Sequence, residues 1–332
     1  MITKGRPTVV DVAKVAHVGA STVSRFLRGI PVKAAVAERI AEAVKTLGYE
    51  PDEAARALRA GRSRSIGVIL PKVSNVFFSQ AMQLIEEESR NRGCTVILLT
   101  HQDRLAQQHE HLKTLKRYRA DGLIITCAAG TTAKDVRSAL PDVPIVAFDS
   151  FLSPDLDSVL LRNREAGRNA TEHLIGHGHK NIACVSGKPD IFSFHERIAG
   201  YTDALHAQKL KPNLVTAPDY EQLRYALGAV IRGKNKPTAL LSLSDFATLN
   251  ILTAFEELGL TPAQRLPLIG FDDFGFAPFV NPPLTVIRQP VEKMVRYAIN
   301  VLFRRIDGDR TEEVQSIALP GELICRHSCG CL

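Results

Sequence analysis

Seven apolar runs of strand length recur through the chain: SIGVILP, TVILLT, DGLIIT, PIVAFD, NIACVSG, TALLSL and PLIGFD. Helical stretches such as FFSQAMQLIEEESRNRG and EAGRNATEHLIGHG separate them. Strands that alternate with helices require crossover connections. That dictates parallel sheets with helices on both faces. Residues 65–332 are too many for one such sheet, so two doubly wound subdomains are expected. Ligands in these folds bind beyond the carboxyl ends of the strands. The strand-end residues are therefore the candidates: Asn75, Phe77 and Phe78 after the first run, Asp149 after PIVAF, Ser244 and Asp245 after TALLSL, and Asp272 after LIGF. Aromatic faces, carboxylates and an amide suit a polyol. Arg197 in FHERIAGY adds a fork for a hydroxyl pair or a carboxylate. Each residue also has an ordinary reading, since Asp after a strand often caps a turn or helix and paired Phe usually belongs to a core.

The charge is concentrated ahead of this body. Residues 1–65 carry 12 Lys and Arg against 6 Asp and Glu, a net +6 of the total +7. A basic block beside a neutral body points to a module for a polyanion. Its apolar spacing predicts three short helices: Val10 to Ala16; Ser21 to Arg28, with Val23, Phe26 and Leu27 inward; and Lys33 to Leu47, with Val36, Ile40, Ala43 and Val44 on one stripe. HVGAS forms the turn between the first two, and Gly48 stands where a C-cap belongs. This is a helix-turn-helix arrangement. Ala20, Ser21 and Arg25 lie on the outward face of the second helix. Arg25 can pair bidentately with a guanine edge, Ser21 can donate or accept, and Ala20 offers a methyl. Thr8, Thr22 and Ser24 carry hydroxyls suited to phosphate oxygens.

Other classes lack their signatures. No apolar run approaches the roughly 18 residues a membrane span needs, and MITKGRPTVVDVAKVA has no apolar signal core. Six sparse Cys suggest reduced thiols in a cytoplasm. There is no GxGxxG after a strand, no GxxxxGK[ST] and no GxSxG. No catalytic residue, cofactor or metal is expected. His177 and His179 in GHGHKN could bind a metal but read as structural. Cys325, Cys329 and Cys331 have no spaced fourth ligand except His327 and read as frayed thiols.

The string TVVDVAKVAHVGASTVSRFLRG resembles the DNA-binding head of the lactose- and galactose-repressor family of bacterial transcription regulators. Tyr49, Pro51, Ala54, Ala55, Arg56 and Leu58 continue the likeness, and HLIGHGHKNIACVSG, ERIAGY, KPTALLSLSD and LIGFDDFGFAPFVNPPLTVIRQP extend it through the body. The resemblance implies a hinge helix over residues 52–62. Leu58 would wedge into the minor groove, beside Arg56 and Arg59. It implies a body of the periplasmic-binding-protein type I kind, clamping one ligand. SNVFF matches the stacking segment, and Asp149, Arg197, Ser244, Asp272 and Gln289 fall at ligand-touching positions. Gly19 replaces the usual Ser, Arg28 an Asn, Ser244 an Asn, Arg162 an Asp and Asn250 a Gly. Arg162, Lys188 and His195 would add positive charge near the cleft, which would suit a sugar acid.

The expected organisation is a helix-turn-helix head at 1–49, a hinge at 50–64 and an effector-binding, dimerisation body at 65–332. Its N-subdomain spans about 65–161 and 290–316, and its C-subdomain about 162–289 and 317–332. The expected partners are an operator in double-stranded DNA, a sugar or sugar-acid effector and a second copy of the chain. The copies would meet at the helix near Phe78 and at Val291–Ile306. Release from DNA by an inducer is the expected sign, with a corepressor-dependent repressor or an activator of the same fold as the alternative and a sugar-binding transport protein as a more distant one.

Overall fold

A computed structural model describes residues 7–27, 29–50, 62–217, 219–309 and 313–331. The chain folds as two compact units, Met1–Ser63 and Arg64–Leu332.

The first unit holds α1 (Val9–Val15), α2 (Ala20–Leu27) and α3 (Ala34–Leu47), each within a residue or so of its predicted bounds. Val12, Ala13, Ala16, Val23, Ile40, Ala43 and Tyr49 form its core. Gly48 ends α3 in the left-handed region at φ 57°, as its C-cap position predicts. In the turn between α1 and α2, His17 takes a positive φ, at 52°. Gly19 accepts at its carbonyl from Val23 N, which makes it the residue that opens α2.

The second unit contains two six-stranded sheets. The first is built from β1 (Ser65–Leu70), β2 (Thr95–Thr100), β3 (Gly122–Ile125), β4 (Ile145–Phe148), β5 (Asp157–Leu161) and a returning strand, Ser316–Leu319. The second uses β6 (Ile182–Ser186), β7 (Asn213–Thr216), β8 (Ala239–Ser242), β9 (Leu268–Phe271), β10 (Thr285–Arg288) and a last strand, Glu322–Ile324. The returning strand is β11 and the last is β12. The orders are β11-β5-β4-β3-β1-β2 and β12-β10-β9-β8-β6-β7. Every pairing is parallel except that of β12 with β10. Both sheets thus repeat one winding, with order reversal at β1/β3 and at β6/β8, and such switch points open a crevice at the strand ends. The fully buried apolar runs expected of doubly covered strands are present: β1, β3, β4, β5, β6, β8 and β9 are buried throughout.

The helices of this unit are α4 (Val76–Asn91), α5 (Leu105–Tyr118), α6 (Ala133–Ala139), α7 (Asn163–Gly176), α8 (Phe192–Ala207), α9 (Tyr220–Arg232), α10 (Asp245–Glu257) and α11 (Val291–Ile306). The chain passes between sheets after β5, after β10 and after β11. The last passage follows Leu319, slightly beyond the 316 expected, because Ser316–Leu319 pairs with Ser158–Leu161. The helices α4 and α11 pack together on the first sheet through Phe77, Ala81, Ile85, Met294, Val295 and Ala298. Among the described residues no helix is long and apolar enough to cross a membrane.

Candidate DNA-reading helix and ligand cleft

On α2 the apolar stripe of Val23, Phe26 and Leu27 faces the head's core. That leaves Ala20, Ser21 and Arg25 exposed on the other side, with Thr22 and Ser24 half-buried. The Arg25 guanidinium makes a long bond, 3.4 Å to Pro31 O. Thr8 is differently placed. It caps α1 in a reciprocal box, accepting from Asp11 N and donating its hydroxyl to Asp11 Oδ2 at 2.7 Å. A hydroxyl has one proton, so Thr8 cannot donate to a phosphate while this box is closed. Arg56, Leu58 and Arg59 lie outside the described residues.

In the second unit, one cleft at the strand ends brings together all eight effector candidates: Asn75, Phe77, Phe78, Asp149, Arg197, Ser244, Asp272 and Gln289. It contains about 750 Å3 of space between protein atoms, part of it open to solvent. Its two halves are related by the repeated winding. Asp149 follows Phe148 at the end of β4, and Asp272 follows Phe271 at the end of β9. Both are buried, and both hold left-handed backbone, φ 51° and 69°. Asp tolerates that region better than most side chains, at a cost of about 1 kcal/mol or more.

Between them sits Arg197, 2% exposed. It is brought there by a backbone-to-backbone crossing of α7 and α8. A Cβ on Gly167 would overlap the Arg197 carbonyl, and one on Gly200 would overlap that of Arg164. Only glycine at both positions lets the helices approach so closely. The guanidinium donates to Asn163 Oδ1 at 2.8 Å and to Leu243 O at 2.6 Å, and lies 4.0 Å from the Phe271 ring centroid. Burial lowers its pKa, against the pull of Asp149, Asp272 and Asp245. Burial pushes Asp149 up to about 6, with Arg197 opposing and Asp272 reinforcing. Asp272 also rises to about 6 by burial, with Arg197 opposing and Asp245 reinforcing. Asp149 Oδ1 and Gln289 Oε1 are buried with no hydrogen-bond partner among the described residues. Gln289 Nε2 is used, donating to Asp272 at 2.7 Å.

Several candidates do structural work. Asn75 caps α4 by accepting from Phe78 N, and its amide donates to Asp245 Oδ1 at 2.6 Å, joining the two subdomains across the cleft. Ser244 caps α10 by accepting from Ala247 N. Phe77 stacks on Phe148, centroids 5.7 Å apart, and meets Phe78 edge-on. Both Phe rings belong to the first subdomain's core. The half-buried aromatic walls are instead Phe194 and Phe246. Sequence reasoning passed over these two, together with Lys72 and Ser193. Ser193 was accessible, lying one helical turn before Arg197.

Of the three cations expected near the cleft, Lys188 stands beside it, 3.7 Å from the cleft-lining Asp103, whereas Arg162 pairs with Glu165 and His195 with Glu196, neither of which lines it. Asn250 bonds within its own helix, to Phe246 O. The C-terminal thiols also differ from expectation, because Cys329 is fully buried rather than frayed.

The fold and these two sites define a helix-turn-helix DNA-binding head joined to a two-subdomain, ligand-clamping body. Comparison with known proteins agrees for each part. Residues 8–52 match the bacterial regulatory proteins of the lacI family, and residues 171–329 match the periplasmic binding protein-like domain. The HTH-type transcriptional repressor PurR of Photobacterium profundum is 30% identical over 328 residues, covering 97% of this chain and 98% of that protein. The Lac repressor bound to ONPG in its repressed state is 26% identical with TM-score 0.83, covering 97% of this chain and 99% of that one. The transcriptional regulator CelR in complex with cellobiose is 27% identical with TM-score 0.70, covering 97% and 100%. The chain belongs to the lacI family of bacterial regulatory proteins. It is a DNA-binding transcriptional regulator that carries an effector-binding domain.

Proposed function

We propose that the protein is a cytoplasmic, non-enzymatic repressor that binds a palindromic operator as a dimer and is released by a neutral sugar. Head residues 1–49 read the half-site through Ala20, Ser21 and Arg25, while Thr22 and Ser24 hold phosphates. Residues 50–64 form the hinge, where Leu58 enters the minor groove beside Arg56 and Arg59. The sugar rests on Asp149, Arg197, Asp272 and Gln289, and Asn75 and Ser244 shape the cleft. The supporting likenesses are to a Lac repressor bound to ONPG and to a regulator bound to cellobiose.

The observation that carries the ligand class is the pair of buried acceptors, Asp149 Oδ1 and Gln289 Oε1, without partners among the described residues. A buried acceptor left unpaired costs about 1–3 kcal/mol, so the site favours a ligand that donates hydrogen bonds. Three carboxylates surround one guanidinium, two of whose five N–H donors already reach Asn163 and Leu243. That arrangement disfavours a sugar acid. Closure around the ligand would turn one subdomain against the other and alter the spacing of the two hinges in the dimer. A thousandfold change in operator affinity needs roughly 4 kcal/mol of differential binding.

The test is selection of bound sequences from a random duplex pool, repeated with neutral sugars and sugar acids. Enrichment of a palindrome that a neutral sugar abolishes supports the proposal. A palindrome enriched only when ligand is present would establish a corepressor, and a response to sugar acids alone would overturn the reading of the cleft.

A further inference from the structure

Far from the cleft in sequence, the end of α7 meets the segment that follows β12. His173 lies in the last turn of α7 and His177 one turn on, a spacing that places both imidazoles on one helical face. Their ring centroids are 4.7 Å apart. The tail segment is held against them by its own bonds. Ser328 Oγ accepts from Thr285 N and donates to Leu268 O, and Arg326 N donates to Thr285 Oγ1. Gly330 then takes φ 87°, a turn that brings the thiols on either side of it to the same place. Cys329 Sγ and Cys331 Sγ are 2.9 Å apart. His173 Nε2 is 3.3 Å from Cys329 Sγ and 3.5 Å from Cys331 Sγ, and His177 Nε2 is 3.1 Å from Cys331 Sγ. All four ligand atoms lie within 4.8 Å of one another.

We propose that His173, His177, Cys329 and Cys331 form a structural four-coordinate zinc site that pins this tail segment to α7. The donor set is two thiolates and two imidazoles, which selects zinc among common divalent ions. Tetrahedral bonds of about 2.3 Å to sulfur and 2.0–2.1 Å to nitrogen separate neighbouring ligands by roughly 3.3–3.8 Å. The separations of 2.9–3.5 Å lie under about 1 Å from that geometry, and the widest, up to 4.8 Å, closes by roughly 1.0–1.5 Å. All four positions come from protein, which marks a structural rather than a catalytic site. Each thiol binds as thiolate, its proton passing to water. Cys329 anchors the site in the second subdomain's core, while His177 and Cys331 leave a path from solvent.

The location gives the site a purpose. β12 has three residues and, among the described residues, pairs along one edge only, with β10. A metal bridge between residues separated by about 150 positions closes a long loop, where the entropic gain of a cross-link is largest. It also ties the tail to α7, whose first residue, Asn163, holds Arg197 in the cleft.

The test uses the full chain, stripped with chelator under a phosphine reductant and titrated with Co2+. The proposal expects one equivalent bound, tetrahedral ligand-field absorption, a thiolate-to-cobalt charge-transfer band, displacement by Zn2+ and a higher melting temperature with one equivalent of Zn2+. Loss of an outer-shell partner already weakens metal sites about 10–100-fold. Cys331→Ser and His177→Asn, both at accessible positions, should therefore weaken Co2+ binding at least about tenfold while far-UV circular dichroism stays native. Cys325→Ser and His327→Asn, neighbours outside the cluster, should leave it unchanged. No Co2+ uptake by the reduced wild type overturns the proposal. So does uptake that persists in both cluster variants, or that depends on Cys325 or His327.

Discussion

Arg197→Met is the most direct probe of the cleft's electrostatics. Methionine keeps the unbranched stem and its packing but removes the charge and both hydrogen bonds, at 2.8 Å to Asn163 and 2.6 Å to Leu243. It also removes the cation that opposes the raised titration of Asp149 and Asp272. Deleting one partner of a buried charged set costs about 3–5 kcal/mol, because the rest is left uncompensated. At about 2–4 °C per kcal/mol for a large domain, the melting temperature should drop by roughly 10 °C at pH 8.

The deficit has a defined pH dependence. Both carboxyls titrate near 6 when folded, above their ordinary 3.8. The native state then holds more protons than the unfolded chain through that interval. The stability these groups contribute is full below the unfolded pKa and is lost as pH rises through the folded one. Without Arg197 both pKa values rise further, so the ionised carboxylates are costlier at pH 8. At pH 5 they are largely neutral, and the loss should shrink. The assay is thermal unfolding of wild type and variant from pH 5 to 8 at fixed ionic strength. A deficit that is independent of pH, or greatest at pH 5, would refute the argument that Arg197 neutralises these two carboxylates.

Two further outcomes concern the head. Arg25→Ala should weaken operator binding by about 1–3 kcal/mol while leaving affinity for random DNA and its salt dependence nearly intact; equal loss on both duplexes in a fluorescence titration would remove Arg25 from base reading. Gly19→Ser should be accommodated, since a Cβ there meets only Ser21 Oγ at 3.6 Å and Thr22 Oγ1 at 4.0 Å. A serine N-cap on α2 should add a few tenths of a kcal/mol in urea unfolding, and destabilisation above about 1 kcal/mol would show that Gly19 does not cap the helix.

Periodicity and composition were sufficient for the fold class. A strand's burial pattern and a helix's apolar stripe are local properties, carried by residues a few positions apart. Strand-end chemistry was legible for the same reason, since a parallel sheet delivers every strand's carboxyl end to one side. Asp149, Asp272 and Arg197 therefore meet in the cleft as the sequence implies. Tertiary structure alone decided how individual side chains are used. Thr8 and Ser244 are taken up as caps, Arg162 and His195 find carboxylates away from the cleft, and Lys188 pairs with Asp103 at its wall. Asn75 meets Asp245 across 170 positions. His173 and His177 meet Cys329 and Cys331 across more than 150. Such pairings depend on which loops the topology closes, and a spacing that long leaves no periodic trace in the sequence.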